Sequence, residues 1–146
     1  MSVSNKSDLN ASTGEVTRGR DLTARYIMIA LGIATLGAFA NAVYEFGVVP
    51  PDRIVSHTWE MLAYVVFSGL FVLLAFYPRR MLGLWELVIF HKLGVTLFSV
   101  ISLGSATGAV ASDNPALRLI IDGVLVSLTI ASYVLARGWL AWKNAR

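Results

Sequence analysis

The stretch PALRLIIDGVLVSLTIASYVLA, residues 115–136, decides the fold. Asp113 and Asn114 stand before Pro115 as an N-cap followed by a proline at the first helical position, which marks a helix start. At a rise of about 1.5 Å per residue the run crosses a hydrocarbon core of about 30 Å, and in lipid only a helix closes all of its own backbone hydrogen bonds. Working outward, three more runs of the same kind lie at 26–44, 59–77 and 81–103. The connections are punctuated by Gly47 with Pro50-Pro51, by Pro78-Arg79-Arg80, and by Gly104 and Gly108. The expectation is an all-α integral membrane protein, a four-transmembrane-helix antiparallel bundle.

Composition agrees. Of 146 residues, 56% are hydrophobic and 14% charged, with a mean hydropathy of +0.67, where a soluble domain carries about 25% charge. A water-soluble enzyme is excluded. The net charge of +3 would raise the question of nucleic acid in a soluble protein, but here it records topology, and no nucleic-acid partner is expected. With no cysteine, thiol chemistry, thiolate metal sites and haem attachment through sulfur are excluded.

Residues 1–25 are rich in Ser, Asn, Thr and charge without apolar periodicity, and are expected to form a disordered tail. Residues 26–138 form the transmembrane domain, and 139–146 a short basic tail. Lys6, Arg18, Arg20, Arg25, Arg79, Arg80, Arg137, Lys143 and Arg146 fall on one side of a four-span layout, against Arg53 and Arg118 on the other. The positive-inside rule then puts both termini in the cytoplasm of a multi-pass protein of the plasma (inner) membrane. Trp85, Trp139 and Trp142 fit an aromatic belt on the inner side and Trp59 one on the outer. A rival reading takes Ala38-Phe39-Ala40 as a signal-peptide cleavage site, which the apolar run continuing to Tyr44 opposes.

Charged side chains at mid-span cost about 2.5–3.5 kcal/mol on insertion scales, so each calls for a partner or a purpose. Lys92 lies near the midplane of the third span and Asp122 at almost the same depth in the fourth. The spacing predicts that they approach as a buried pair, with His91 competing for the carboxylate. Arg118, Asp122, Thr129 and Tyr133 share one face of the fourth span. Ala30, Ala34, Ala38, Asn41 and Glu45 share a face of the first, small residues spaced for close helix approach below a polar tip. His57, Glu60 and Tyr64 form a polar stripe at the head of the second. These faces outline an outward-open polar pocket between the helices. Glu86, on the opposite side, is expected to partner Arg79 and Arg80.

The Glu-x-x-His pairs of di-iron bundles are missing, and neither a metal nor a cofactor is expected. No H-E-x-x-H, G-x-S-x-G or P-loop occurs, and Gly104-Ser-Ala-Thr-Gly108 reads as a flexible loop. The length and four-span layout resemble several groups of small bacterial membrane proteins. The first span, however, lacks the acid that small multidrug transporters carry there.

The functional expectation is a protein that binds, carries or rearranges a small lipophilic or amphipathic molecule. Glu60, Asp122, His91 and Lys92 would supply acid/base groups; Asn41, Glu45, His57, Tyr64, Arg118 and Tyr133 would form the ligand walls. Two other readings stay open, a proton-coupled transporter and a non-catalytic subunit of a larger membrane complex. Partners are then the lipid bilayer, the ligand, and further copies or other subunits.

Overall fold

The computed structural model describes residues 18–103 and 114–144, and these are all-helical, without strands. Helix α1 is Arg18–Glu45; two short 3₁₀ turns, Phe46–Val48 and Pro51–Arg53, lead to α2, Ile54–Phe76; α3 is Leu84–Leu103, α4 Pro115–Ala136, and α5 the short Leu140–Asn144. The first four helices are long and apolar enough to cross a membrane. Their outward faces carry Ile33, Phe90, Phe98 and Ile120, each exposed, a surface that suits hydrocarbon as solvent. The expected flexible loop at 104–108 and the first part of the expected tail, residues 1–17, lie outside the described residues.

α1 begins at Arg18, two turns earlier than the expected tail allowed. Its polar composition hid a tertiary anchor. Asp21, in the first turn where a negative charge suits the helix dipole, receives both guanidinium nitrogens of Arg79, at 2.6 and 2.7 Å. Arg79 also donates to the carbonyl of Ala136 at 2.9 Å, so one side chain ties α1 to the α2–α3 turn and to the end of α4. Behind this clamp Ala24 and Met28 are buried, which offsets the ordering entropy that the tail reading could not cover.

Other helix ends differ from the expected spans for local reasons. α2 starts at Ile54, because Pro50 and Pro51 set a 3₁₀ turn directly before it. α3 starts at Leu84, because Gly83 turns the chain at φ +71° and the Trp85 indole N–H donates to Pro78 O at 2.7 Å. α4 has the expected start, with Asn114 Oδ1 accepting from Leu117 N–H at 3.1 Å. Its end is a Schellman turn: Arg137 is left-handed at φ +49°, and Gly138 N–H donates to Tyr133 O at 2.9 Å. The basic tail expected from 139 onward therefore includes a helical turn, α5.

α1 packs against α2 and α4, and α3 packs against α4, while α2 and α3 touch far less. α1 and α2 approach closely at Gly32, whose carbonyl accepts from Ser68 Oγ at 2.9 Å. The expectation that Ala30, Ala34 and Ala38 make the close helix contact is thus corrected: Ala30 is exposed, and Ala34 and Ala38 face open space. The buried core, Met28, Leu31, Phe71, Leu74, Trp85, Val88 and Ala136, lies toward the Arg79 end.

The clamp has a measurable consequence. Burial opposes the charge of Arg79, but its bonds to Asp21 outweigh that and raise its pKa above the ordinary arginine value. A raised folded-state pKa means stability that is fully present below the ordinary value and lost only as pH rises through the raised one. Both side chains are about a third exposed, so after screening Arg79→Gln is expected to lose about 1–2 kcal/mol. Chemical unfolding in detergent should show the same deficit from neutral pH to about pH 10, since arginine stays charged throughout.

Candidate functional site

Toward the other end the four long helices diverge around a cavity of about 690 Å³, within the range of small-molecule sites. Helical spacing of three and four residues puts Ala34, Ala38, Asn41 and Glu45 of α1 on its wall, with Glu60, Ala63, Tyr64 and Phe67 of α2. α3 contributes His91, Lys92 and Val95, and α4 contributes Arg118, Ile121, Asp122 and Leu125. Small residues on α1 make the room, Glu45 adds a charge at the end of that helix, and the other three helices bring the remaining charges.

The more exposed part is a closed hydrogen-bond system. Arg118 Nη2 donates to Glu60 Oε1 at 2.7 Å, and the Tyr64 hydroxyl donates to the same oxygen at 2.7 Å. This pair bridges α2 and α4, which are not close packing neighbours. Asn41 Nδ2 donates to Glu45 Oε1 at 2.8 Å one turn further along α1.

Deeper in, the bonding is sparse. Lys92 is 9% and Asp122 8% exposed, so both are buried, and both line the cavity. The expected buried pair is corrected: the two charges share the cavity but come no closer than 4.0 Å, and the ion pairs found among the described residues are Arg79–Asp21 and Arg118–Glu60. The physical reason is helix rotation. It turns Lys92 toward α2, with Nζ 4.8 Å from the Phe67 ring centroid, and leaves Asp122 one long hydrogen bond, from Ser99 Oγ at 3.5 Å. His91 does not compete for the carboxylate; its ring lies 4.4 Å from that of Phe67.

Two of the expected ligand residues lie elsewhere. His57 Nε2–H donates to Ala42 O at 2.9 Å and its ring neighbours Phe46, so it fastens the α1–α2 connection rather than the cavity wall. Tyr133 donates to Glu86 Oε1 at 3.1 Å and packs between Trp85 and Trp139. It shares the azimuth of Arg118 but stands about 22 Å further along the helix, beyond the cavity. Glu86, expected beside Arg79 and Arg80, instead accepts from Tyr133 and from the Trp142 indole at 3.1 Å. Phe67 is the wall residue the polar pattern passed over; its spacing of three from Tyr64 and seven from Glu60 was the available signal.

No relative emerges by comparison. Family models, curated proteins and solved structures all return no match to this chain. Among the described residues no group of three His, Asp or Glu side chains is placed to hold a metal ion. What the site offers is therefore charge chemistry: an ammonium and a carboxylate with open bonding capacity at depth, beneath the hydrogen-bonded Glu60–Arg118–Tyr64 system.

Proposed function

We propose that the chain is a four-span protein of the plasma membrane, an antiparallel bundle with both termini cytoplasmic and the cavity opening outward, and that the cavity binds a small lipophilic or amphipathic molecule. The orientation rests on the crowding of Arg20, Arg25, Arg79, Arg80, Arg137 and Lys143 toward one end. One observation carries the ligand reading: Lys92 and Asp122 are buried in one open cavity without pairing. Charges kept in a membrane interior for helix register alone would close on each other to recover their lost hydration. Here their bonding capacity is left for something else. Glu60, held by Arg118 and Tyr64, is the gate group of this reading, because a ligand entering past it competes for those bonds.

The test is occlusion. Ala34 and Ala63 both line the cavity, so Ala34→Trp and Ala63→Trp fill it from two neighbouring helices without entering the buried core. Mass spectrometry of small molecules and lipids co-purifying with the protein in nanodiscs is expected to show a species depleted at least tenfold in each folded variant. Equal retention of the same species would remove the cavity as a ligand site. Proton-coupled transport is the second reading, favoured by the buried Asp122 carboxylate. It predicts counterflow in proteoliposomes that disappears in Asp122→Asn, whereas a binding protein shows none in either form.

A further inference from the structure

The polar groups of the cavity differ in how much bonding they have left. Glu60 already accepts from Arg118 and Tyr64 on one oxygen. Asp122, with sites for about four donors, has one long bond, and Lys92, with three N–H donors, has no side-chain hydrogen bond to the described residues and faces an aromatic ring. Glu60 and Arg118 keep further sites that water can reach, whereas the buried groups with unspent capacity on this wall are one positive and one negative, Lys92 and Asp122. Around them the wall is Ala34, Ala63, Val95, Ile121 and Leu125, which offer contact area and nothing to bond.

Building on the ligand reading above, we infer that the ligand is a zwitterionic amphiphile whose acidic group binds Lys92, whose ammonium binds Asp122, and whose hydrocarbon part lies along the apolar wall. Opposite charges on one head are what this floor selects. An anionic chain would satisfy Lys92 but bring its charge against Asp122, and a cationic chain would meet Lys92 in the same way; each leaves one buried charge uncompensated. A zwitterion satisfies both, and the cost of desolvating its two charged groups is offset because each meets a buried partner of opposite sign. The same chemistry occurs in a lipid headgroup and in a free amino acid or phosphoamine, which differ in having or lacking the chain.

The experiment measures binding to the full chain in nanodiscs by native mass spectrometry and by competition. The probes share one acyl chain: a lysophosphatidylethanolamine, a fatty acid, an alkylamine and an uncharged alkyl alcohol. Glycerophosphoethanolamine, the same phosphodiester head without a chain, is added as a fifth. The zwitterionic chain is expected to bind at least tenfold more tightly than the anionic, cationic or neutral ones. Lys92→Met should bring it down to the level of the alkylamine, and Asp122→Asn to that of the fatty acid. Should glycerophosphoethanolamine bind as tightly and with the same two dependences, the charge assignment holds and the source is a free zwitterion. Equal binding of zwitterionic and anionic chains to the wild type, unchanged in Asp122→Asn, would overturn the inference while the cavity still holds amphiphiles. Failure of every probe to bind, with no response to Ala34→Trp, would end both this inference and the ligand reading. The ranking of probes on the wild type does not depend on any variant folding.

Discussion

Gly138→Ala is expected to lower the stability of the folded chain by about 2–3 kcal/mol, the upper part of the range for overpacking a filled site. Gly138 is buried directly after the left-handed Arg137 that ends α4. A β-carbon there would come within 2.7 Å of Trp85 Cδ1 and closer still to the Tyr133 ring. Neither ring is free to yield. The Trp85 indole is held by Pro78 O and the Tyr133 hydroxyl by Glu86, so relief has to disturb the turn, the α2–α3 connection or the seat of α5 together. Unfolding in mixed micelles, followed by tryptophan fluorescence, reads both the stability and the displaced indoles. Gly37→Ala is the control: outside its own helix no atom lies within 4 Å of the added carbon, and replacing a mid-helix glycine should raise stability by about 0.5–1 kcal/mol. Equal behaviour of the two variants would show that α5 does not close against Trp85 and Tyr133 in this way.

Lys92→Met is expected to act in the opposite direction, raising stability by about 2–3 kcal/mol while abolishing selective binding of the zwitterionic probe. The two side chains have similar length, and the methionine carries no charge to desolvate. No carboxylate lies within 4.0 Å of Lys92, so the change breaks no ion pair, and Asp122 loses only a longer-range attraction that is smaller than the cost of keeping the ammonium buried. The Phe67 ring, 4.8 Å from Nζ, accepts a thioether as readily as an ammonium. A gain in stability bought with loss of binding is the pattern of a residue kept for function. The same unfolding assay decides it, and a loss of stability would mean that the Lys92 ammonium holds the bundle together.

How much of this was legible beforehand differs from residue to residue. Asn114-Pro115 announced the start of α4 because an N-cap and its proline act within one turn. Asp21 announced nothing: its partner is Arg79, remote in sequence, and a polar segment reads as a tail until the guanidinium that orders it is in view. Lys92 and Asp122 were readable as residues at one depth, since rise along a helix is constant. Their separation was not, because it depends on the rotation of α3, which turns Lys92 toward Phe67. Tyr133 was misplaced for a related reason. A stripe along a helix gives azimuth, and azimuth does not say where along the axis a cavity ends and an aromatic cluster with Trp85 and Trp139 begins. His57 looked like part of a polar stripe, whereas its ring nitrogen is used by the carbonyl of Ala42 across the α1–α2 turn.

Local sequence pattern is enough to give four apolar helices with few charges inside them, and to put Lys92 and Asp122 at similar depth with Glu60 nearer one end of its span. Those properties follow from chain-local physics: an unpaired backbone polar group is intolerable in hydrocarbon, and each residue adds a known rise and rotation. Helix packing alone settles that Glu60 belongs to Arg118 and Tyr64, that Arg79 belongs to Asp21, and that Lys92 turns to Phe67 while Asp122, on the same cavity wall, is bonded by Ser99. Hydrogen bonds and ion pairs are won or lost over about an ångström, and a distance of that size between two helices is set by how all of them pack, which no single span encodes.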